Sequence, residues 1–176
     1  LQKKFGWRDI FLLLVALTSI ALDQFTKNLV RENIPLGTSW NPVSWLEPIV
    51  TLTHTQNTGI AFGLFPGVSV VFVGIILVII VAIIVYYKKY AESSWWLTVS
   101  FGLIVGGAIG NLIDRLTQNG SVTDFIHFRI WAVFNIADSS VVVGALLLSF
   151  YGLFLDRGHE DNQELAEGSQ TKAEAS

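Results

Sequence analysis

The 176-residue chain has no cysteine and no methionine, and only 14% of its residues are charged. Without cysteine there is no disulfide framework, no thiol nucleophile and no Cys-ligated zinc or iron–sulfur site. Without an initiating methionine, Leu1 reads as a processed, alternatively initiated or trimmed start. The shortage of charge is the larger constraint, because an ordinary soluble domain carries roughly 25%. Here 52% of the residues are hydrophobic and the mean hydropathy is +0.55, which excludes a water-soluble globule. The acids are also unevenly placed: Asp156, Glu160, Asp161, Glu164, Glu167 and Glu174 crowd the last 21 residues beside only Arg157 and Lys172. The net charge of −3 therefore belongs to the tail and does not point to a nucleic-acid or other charged partner. Nucleotide-binding loops and internal repeats are absent.

What is present is a set of apolar runs long enough to cross a bilayer, which takes about 20 helical residues because lipid offers no partner to free backbone groups. Four segments qualify: Ile10 to Val30, Val68 to Tyr87, Trp95 to Ile113 and Trp131 to Leu155. The last three begin or end on Trp or Tyr, as interfacial side chains do. The first competes with a cleavable signal peptide, since Lys3, Lys4 and Arg8 precede a thirteen-residue apolar run and Ser19-Ile20-Ala21. The pattern resumes with Phe25, Leu29 and Val30, which favours a span. Placing both termini in the cytoplasm puts seven Lys and Arg inside and four outside, with the short Lys88-Lys89 link the most informative. The expected fold is therefore a mainly α membrane protein. It has four transmembrane helices in a domain covering residues 1–157, outer segments at 31–67 and 116–130 that form a small extracytoplasmic β-sheet, and a disordered acidic cytoplasmic tail at 158–176.

Ionisable residues within spans are costly and face a protein interior or a wet cavity. Asp138 is the sharpest case. Counted from Trp131 it lies about 10 Å below the outer interface, with Asn135 at i−3 on the same helix face. A structural hydrogen-bonded pair between helices is the plain alternative. Asp124 sits in Ser121 to Ile126, just before span four, and can be set above or beside Asp138. Two carboxylates at one wet site resist joint ionisation and tend to share a proton, the arrangement of acid–base chemistry. In span three, Gly102, Gly106 and Gly110 form a smooth stripe for helix contact, and at its end, Gly106 to Arg115, the residues Asn111, Asp114 and Arg115 converge where the helix exits. Asp23 and Lys27 are spaced as an internal ion pair, and Asn57 to Gly63 reads as a tight turn. His54 and His127 lack metal-ligand spacing. The residues alone leave three classes open: an acid–base enzyme, a proton-coupled transporter, and a membrane chaperone without catalysis.

Five stretches, in order, resemble the motifs of the lipoprotein signal peptidases (signal peptidase II): Asp23 to Lys27, Asn57 to Phe62, Gly106 to Arg115, Val122 to Phe125 and Phe134 to Ser139. The departures are Ile60, where the family usually has Ala, and Thr123, where it often has Val. The resemblance implies a bacterial inner-membrane aspartic endopeptidase whose four spans carry a small periplasmic sheet. It would remove signal peptides from prolipoproteins, cutting before a cysteine that already carries diacylglycerol. It further implies Asp124 and Asp138 as the catalytic pair. Asn57, Gly59, Asn111, Arg115 and Asn135 would bind substrate or orient the pair, and Asp23, Lys27 and Asp114 would be structural support. Neither a metal nor a cofactor is expected, and the partners implied for a monomeric enzyme are its lipidated substrates and the bilayer.

Overall fold

The computed structural model describes residues 6–58, 68–90 and 94–155. The expected tail at 158–176 and Gly59 lie outside them. Helix α1 spans Trp7–Asn33 and starts at Gly6, whose N–H donates to Asp9 Oδ2 at 2.7 Å. It stops because Pro35 follows: the residue before proline is driven out of the helical region, and Ile34 is extended (φ −120°, ψ 115°). Two-residue β1 (Ser39–Trp40) and a 3₁₀ turn at Ser44–Leu46 lead into β2 (Val50–Asn57). Helix α2 (Val68–Tyr90) is followed by α3 (Trp95–Thr117), which Ser94 caps by accepting from the Trp96 N–H. Asn119 (φ 52°) and Gly120 (φ 87°) turn the chain after α3. Strand β3 (Val122–Phe128) then leads through a turn to α4 (Ile136–Phe150), and a π-helical turn follows at Tyr151–Leu155.

The three strands form one antiparallel sheet in the order β1-β2-β3, with Thr55 opposite Asp124 and Asn57 opposite Val122. Beneath it Phe125 packs on Val30 and Ile34, which ties the sheet to the end of α1. Three of the helices are long and apolar enough to cross a membrane: Trp7–Asn33, Trp95–Thr117 and Ile136–Phe154. Apolar α2 is described with its side chains over Gly74–Tyr87.

Helix α3 is the central element, packed against α1, α4 and α2. Its glycines make that possible and divide between two neighbours. A Cβ at Gly102, Gly106 or Gly110 would strike Val15, Ala16 and Ser19, or Asp23 of α1, whereas one at Gly107 would strike the Ala137 carbonyl oxygen and Val141 of α4. Close backbone approach between membrane helices is the purpose small residues serve. Gly107→Ala should therefore destabilise the protein by about 1–3 kcal/mol, as overpacking does. Gly74→Ala, inside α2 where a Cβ meets nothing within 4 Å, should not lower stability. Thermal unfolding in one detergent checks both.

Span four starts later than its composition suggests. Trp131 to Phe134 are apolar but form a turn and a bridge from Phe134 to Ile126, and Asn135 is the N-cap. Asp138 is thus the third residue of α4, held in its first turn, rather than seven residues deep in a helix beginning at Trp131. Asn135 precedes the helix instead of sharing a face with Asp138.

Candidate functional site

The outer ends of α1, α3 and α4 converge under β3, and their polar residues form one network. At the start of α4, Asn135 and Asp138 make a reciprocal capping box. The Asp138 N–H donates to Asn135 Oδ1 at 2.9 Å, and the Asn135 N–H donates to Asp138 Oδ2 at 3.3 Å. Because Asn135 Oδ1 is committed to the helix, its Nδ2 must face the other way. It donates to Asp124 Oδ1 at 2.6 Å, to Asn111 Oδ1 at 3.2 Å and to the Thr123 carbonyl at 3.3 Å. One buried amide therefore holds both carboxylates in register, one by its cap and one by its donor.

Asn111 on α3 is oriented by the same logic. Its Oδ1 accepts from Lys27 Nζ at 3.0 Å as well as from Asn135, so its Nδ2 turns to Asp138 Oδ1 at 2.8 Å. Lys27 lies 2.8 Å from Asp23 Oδ2 and 3.3 Å from Asp114 Oδ2, and all three side chains are fully buried. Asp23 Oδ1 accepts from the Ala137 N–H at 2.9 Å, one residue before Asp138. From the sheet, Asn57 Nδ2 donates to Asp124 Oδ2 at 3.0 Å. Arg115 donates to the Asn111 carbonyl at 3.3 Å, and its charge acts on Asp138, Asp124 and Asp114.

The two carboxylates differ in environment. Asp138 is half-buried, whereas Asp124 is only 2% exposed. Burial pushes the Asp124 carboxyl up to about 6, and the negative charge of Asp138 adds to the effect; hydrogen bonds from Asn57 and Asn135 and the Lys27 charge oppose it. A carboxyl raised in the fold above its unfolded value near 3.9 stabilises the fold at low pH. That contribution is complete below about pH 4 and is lost as pH rises through 6. Asp124→Asn removes the penalty of a buried charge, and exposed Asn57 can turn its amide over to meet the new side chain. The variant should melt at a higher temperature than wild type at pH 8, with the gap closing toward pH 4, a pattern that thermal unfolding across this range checks.

The structure thus brings together Asp124, Asp138, Asn57, Asn111, Arg115, Asn135, Asp23, Lys27 and Asp114. Gly59 falls outside the described residues. Sequence reasoning assigned no role to three further members. Gln24 Nε2 bridges Asp23, the Gly110 carbonyl and Asp114 at 3.0–3.1 Å, and Arg31 and Thr123 meet at 2.9 Å. Gln24 lies inside one of the motif stretches, which was the available signal. Arg31 had none beyond its charge. Among the described residues no group of three or more His, Cys, Asp or Glu could hold a metal ion.

Comparison with known proteins agrees over most of the chain. Residues 15–154 match the sequence model of a family described as signal peptidase (SPase) II. A lipoprotein signal peptidase of Halothermothrix orenii is 46% identical over 138 residues, 78% of this chain and 92% of that protein. One from Streptococcus pneumoniae is 39% identical over 136 residues, covering 76% and 86% of the two chains. A third, from Moorella thermoacetica, is 38% identical over 151 residues, covering 86% and 97%. A solved structure described as a bacterial membrane enzyme superposes with a TM-score of 0.76 at 30% identity, over 88% of this chain and 98% of that one. A second of the same description gives 0.75 at 29% identity, over 90% and 95%.

Proposed function

The chain belongs to the signal peptidase II family, and from that premise we propose that Asp124 and Asp138 are its catalytic pair, acting on diacylglyceryl-modified prolipoproteins. The observation that carries this reading is the single amide of Asn135, which fixes two carboxylates of unequal burial against each other. At the pH where Asp124 keeps its proton, the pair holds the acid and the base that peptide hydrolysis requires.

The steps follow from those roles. Asp138 takes a proton from water as the water oxygen attacks the scissile carbonyl carbon, and Asp124 gives its proton to the carbonyl oxygen. The tetrahedral adduct then collapses. The proton on Asp138 passes to the departing amine, and Asp124 recovers one from the adduct's hydroxyl. The products are a signal peptide with a free carboxylate and a lipoprotein whose lipidated cysteine is the new N-terminus. Asn57, Asn111 and Asn135 keep the carboxylates oriented, and Arg115 offers positive charge beside them.

In this reading α2 is the fourth span, because its 23 residues rise about 35 Å at 1.5 Å each, enough for the hydrocarbon core. Residues 1–157 then form one peptidase domain with both ends cytoplasmic and the sheet and dyad on the outer side, where an exported precursor presents its cleavage site. Purified protein in lipid nanodiscs, with chelator present, should cut a diacylglyceryl-modified precursor and leave its unmodified form intact. Failure to cut the lipidated precursor, or equal cutting of both, would overturn the assignment.

A further inference from the structure

Helix α4 borders two grooves on different sides, and only one of them leads to the dyad. Ile136 and Ser140, two residues before and after Asp138, sit about 200° around the helix from it. They face α1: Ser140 Oγ accepts from Ser19 Oγ at 2.9 Å, and both line a groove with Thr18 and Leu22. Asp138 is therefore on the side of α4 away from α1. The second groove lies there, a cavity of about 380 Å³ lined by Ala82, Ile83 and Tyr86 of α2, Phe101 of α3, and Leu148 and Gly152 of α4. Gly152 falls about four turns from Asp138 and within about 40° of the same face. Between them on that face Val142, Ala145 and Ser149 are all exposed, and the Ser149 hydroxyl is spent on the Ala145 carbonyl at 2.8 Å. Helix α4 packs on α3 and α1 while α2 packs on α3, which leaves a trough between α2 and α4.

We propose that this trough receives the apolar helix of the substrate's signal peptide, antiparallel to α4, and brings the end of that helix to Asp138. The proposal rests on the assignment of the catalytic pair and on α2 as a span, and adds to them where the substrate lies. Three observations select this occupant over bulk lipid. The face ends at a carboxylate of the dyad, where a scissile bond has to be. From Asp138 to Gly152 it runs about 21 Å at 1.5 Å per residue. The apolar region of a signal peptide, about 7–15 residues long, makes a helix of about 10–22 Å. Midway along, the side chains are the short ones of Ala145 and Ser149, whereas the outward side of α4 carries exposed Leu146 and Phe150. Helices in lipid gain no hydrophobic drive from each other and associate by close packing, which short side chains permit.

The two grooves give the test its control. In nanodiscs with a diacylglyceryl-modified precursor, Ala145→Phe should fill the trough and raise KM about tenfold with kcat within about twofold, as loss of binding shared by ground and transition states does. Thr18→Phe, in the groove behind the dyad, should leave both within about twofold. The chain has no cysteine, so Ala145→Cys and Thr18→Cys each introduce a single thiol. Placed in the Asp138→Asn background, each is oxidised with a lipidated precursor carrying one cysteine about seven residues before its cleavage site, the distance that separates Ala145 from Asp138 along a helix. A disulfide should form with Ala145→Cys and not with Thr18→Cys. An unchanged KM in folded Ala145→Phe would overturn the proposal, and so would crosslinking through Thr18→Cys as efficient as through Ala145→Cys. Should Ala145→Phe fail to fold, the crosslink alone decides, because Ala145→Cys adds one sulfur atom at an exposed position. The crosslink needs no turnover, and wild-type cleavage is measured in the same nanodiscs, so failure of the docking site is distinct from failure of the catalytic assignment.

Discussion

Purified Asp124→Asn and Asp138→Asn proteins should each cleave a lipidated precursor about 10²–10⁴-fold more slowly than wild type, the span expected when a general acid or base is removed. That is about 2.7–5.5 kcal/mol of barrier. Each change is close to isosteric. In Asp138→Asn the carboxamide oxygen can still accept from Asn111 Nδ2, and the start of α4 keeps the Asn135 side-chain cap. The loss should therefore appear in kcat while the folded protein still inserts and melts cooperatively. Combining the two changes should cost little beyond the larger single loss, because neither carboxylate works without its partner. Full turnover by folded Asp138→Asn would contradict the mechanism.

The largest effect on folding is expected at Lys27. Its ammonium, fully buried, is 2.8 Å from Asp23 and 3.3 Å from Asp114 and also fixes the amide of Asn111. Lys27→Met keeps the unbranched shape of the side chain, one atom shorter, but leaves two buried carboxylates without that cation. Removing one partner from a buried ion pair costs about 3–5 kcal/mol. The variant should accumulate poorly and unfold at a much lower temperature. Adding Asp114→Asn to Lys27→Met should recover part of the loss, since one uncompensated charge is then gone, although Asp114 also anchors the Thr123 N–H. The observation against this account would be a Lys27→Met protein with wild-type melting temperature and activity.

How far the sequence disclosed all this depends on the range of the contacts involved. That short strands lie in the outer segments 31–67 and 116–130 was readable, and β2 and β3 fall there. The glycine stripe was readable as a helix contact, but its division was not: Gly107 serves α4 while Gly102, Gly106 and Gly110 serve α1. Which neighbour lies on which side is a tertiary fact. The start of span four was misplaced by five residues because hydropathy registers Trp131 to Phe134 and ignores caps. The three-residue spacing of Asn135 and Asp138 reads in sequence as a shared helix face, whereas it is an N-cap pair whose side chains bond to each other's backbone. That error also misjudged the geometry of Asp138, whose place in the first turn of α4 lets Asn135 reach back to it. Arg31 and Thr123 are 92 residues apart, and no spacing rule pairs them. Asp23 and Lys27 were legible as an i, i+4 pair, yet their connection to Asp138 through Asn111 and the Ala137 N–H exists only once α1, α3 and α4 are packed.

The central claim is that two aspartates of unequal burial share one proton and divide the acid and base roles between them. The pH dependence of kcat/KM for wild-type protein in nanodiscs, on a lipidated precursor with chelator present, tests it most directly, because that ratio reports the ionisations of the free enzyme. The account predicts a bell whose alkaline limb falls with an apparent pKa near 6, the value to which burial and Asp138 push Asp124. A rate that rises steadily from pH 5 to pH 9 would contradict it.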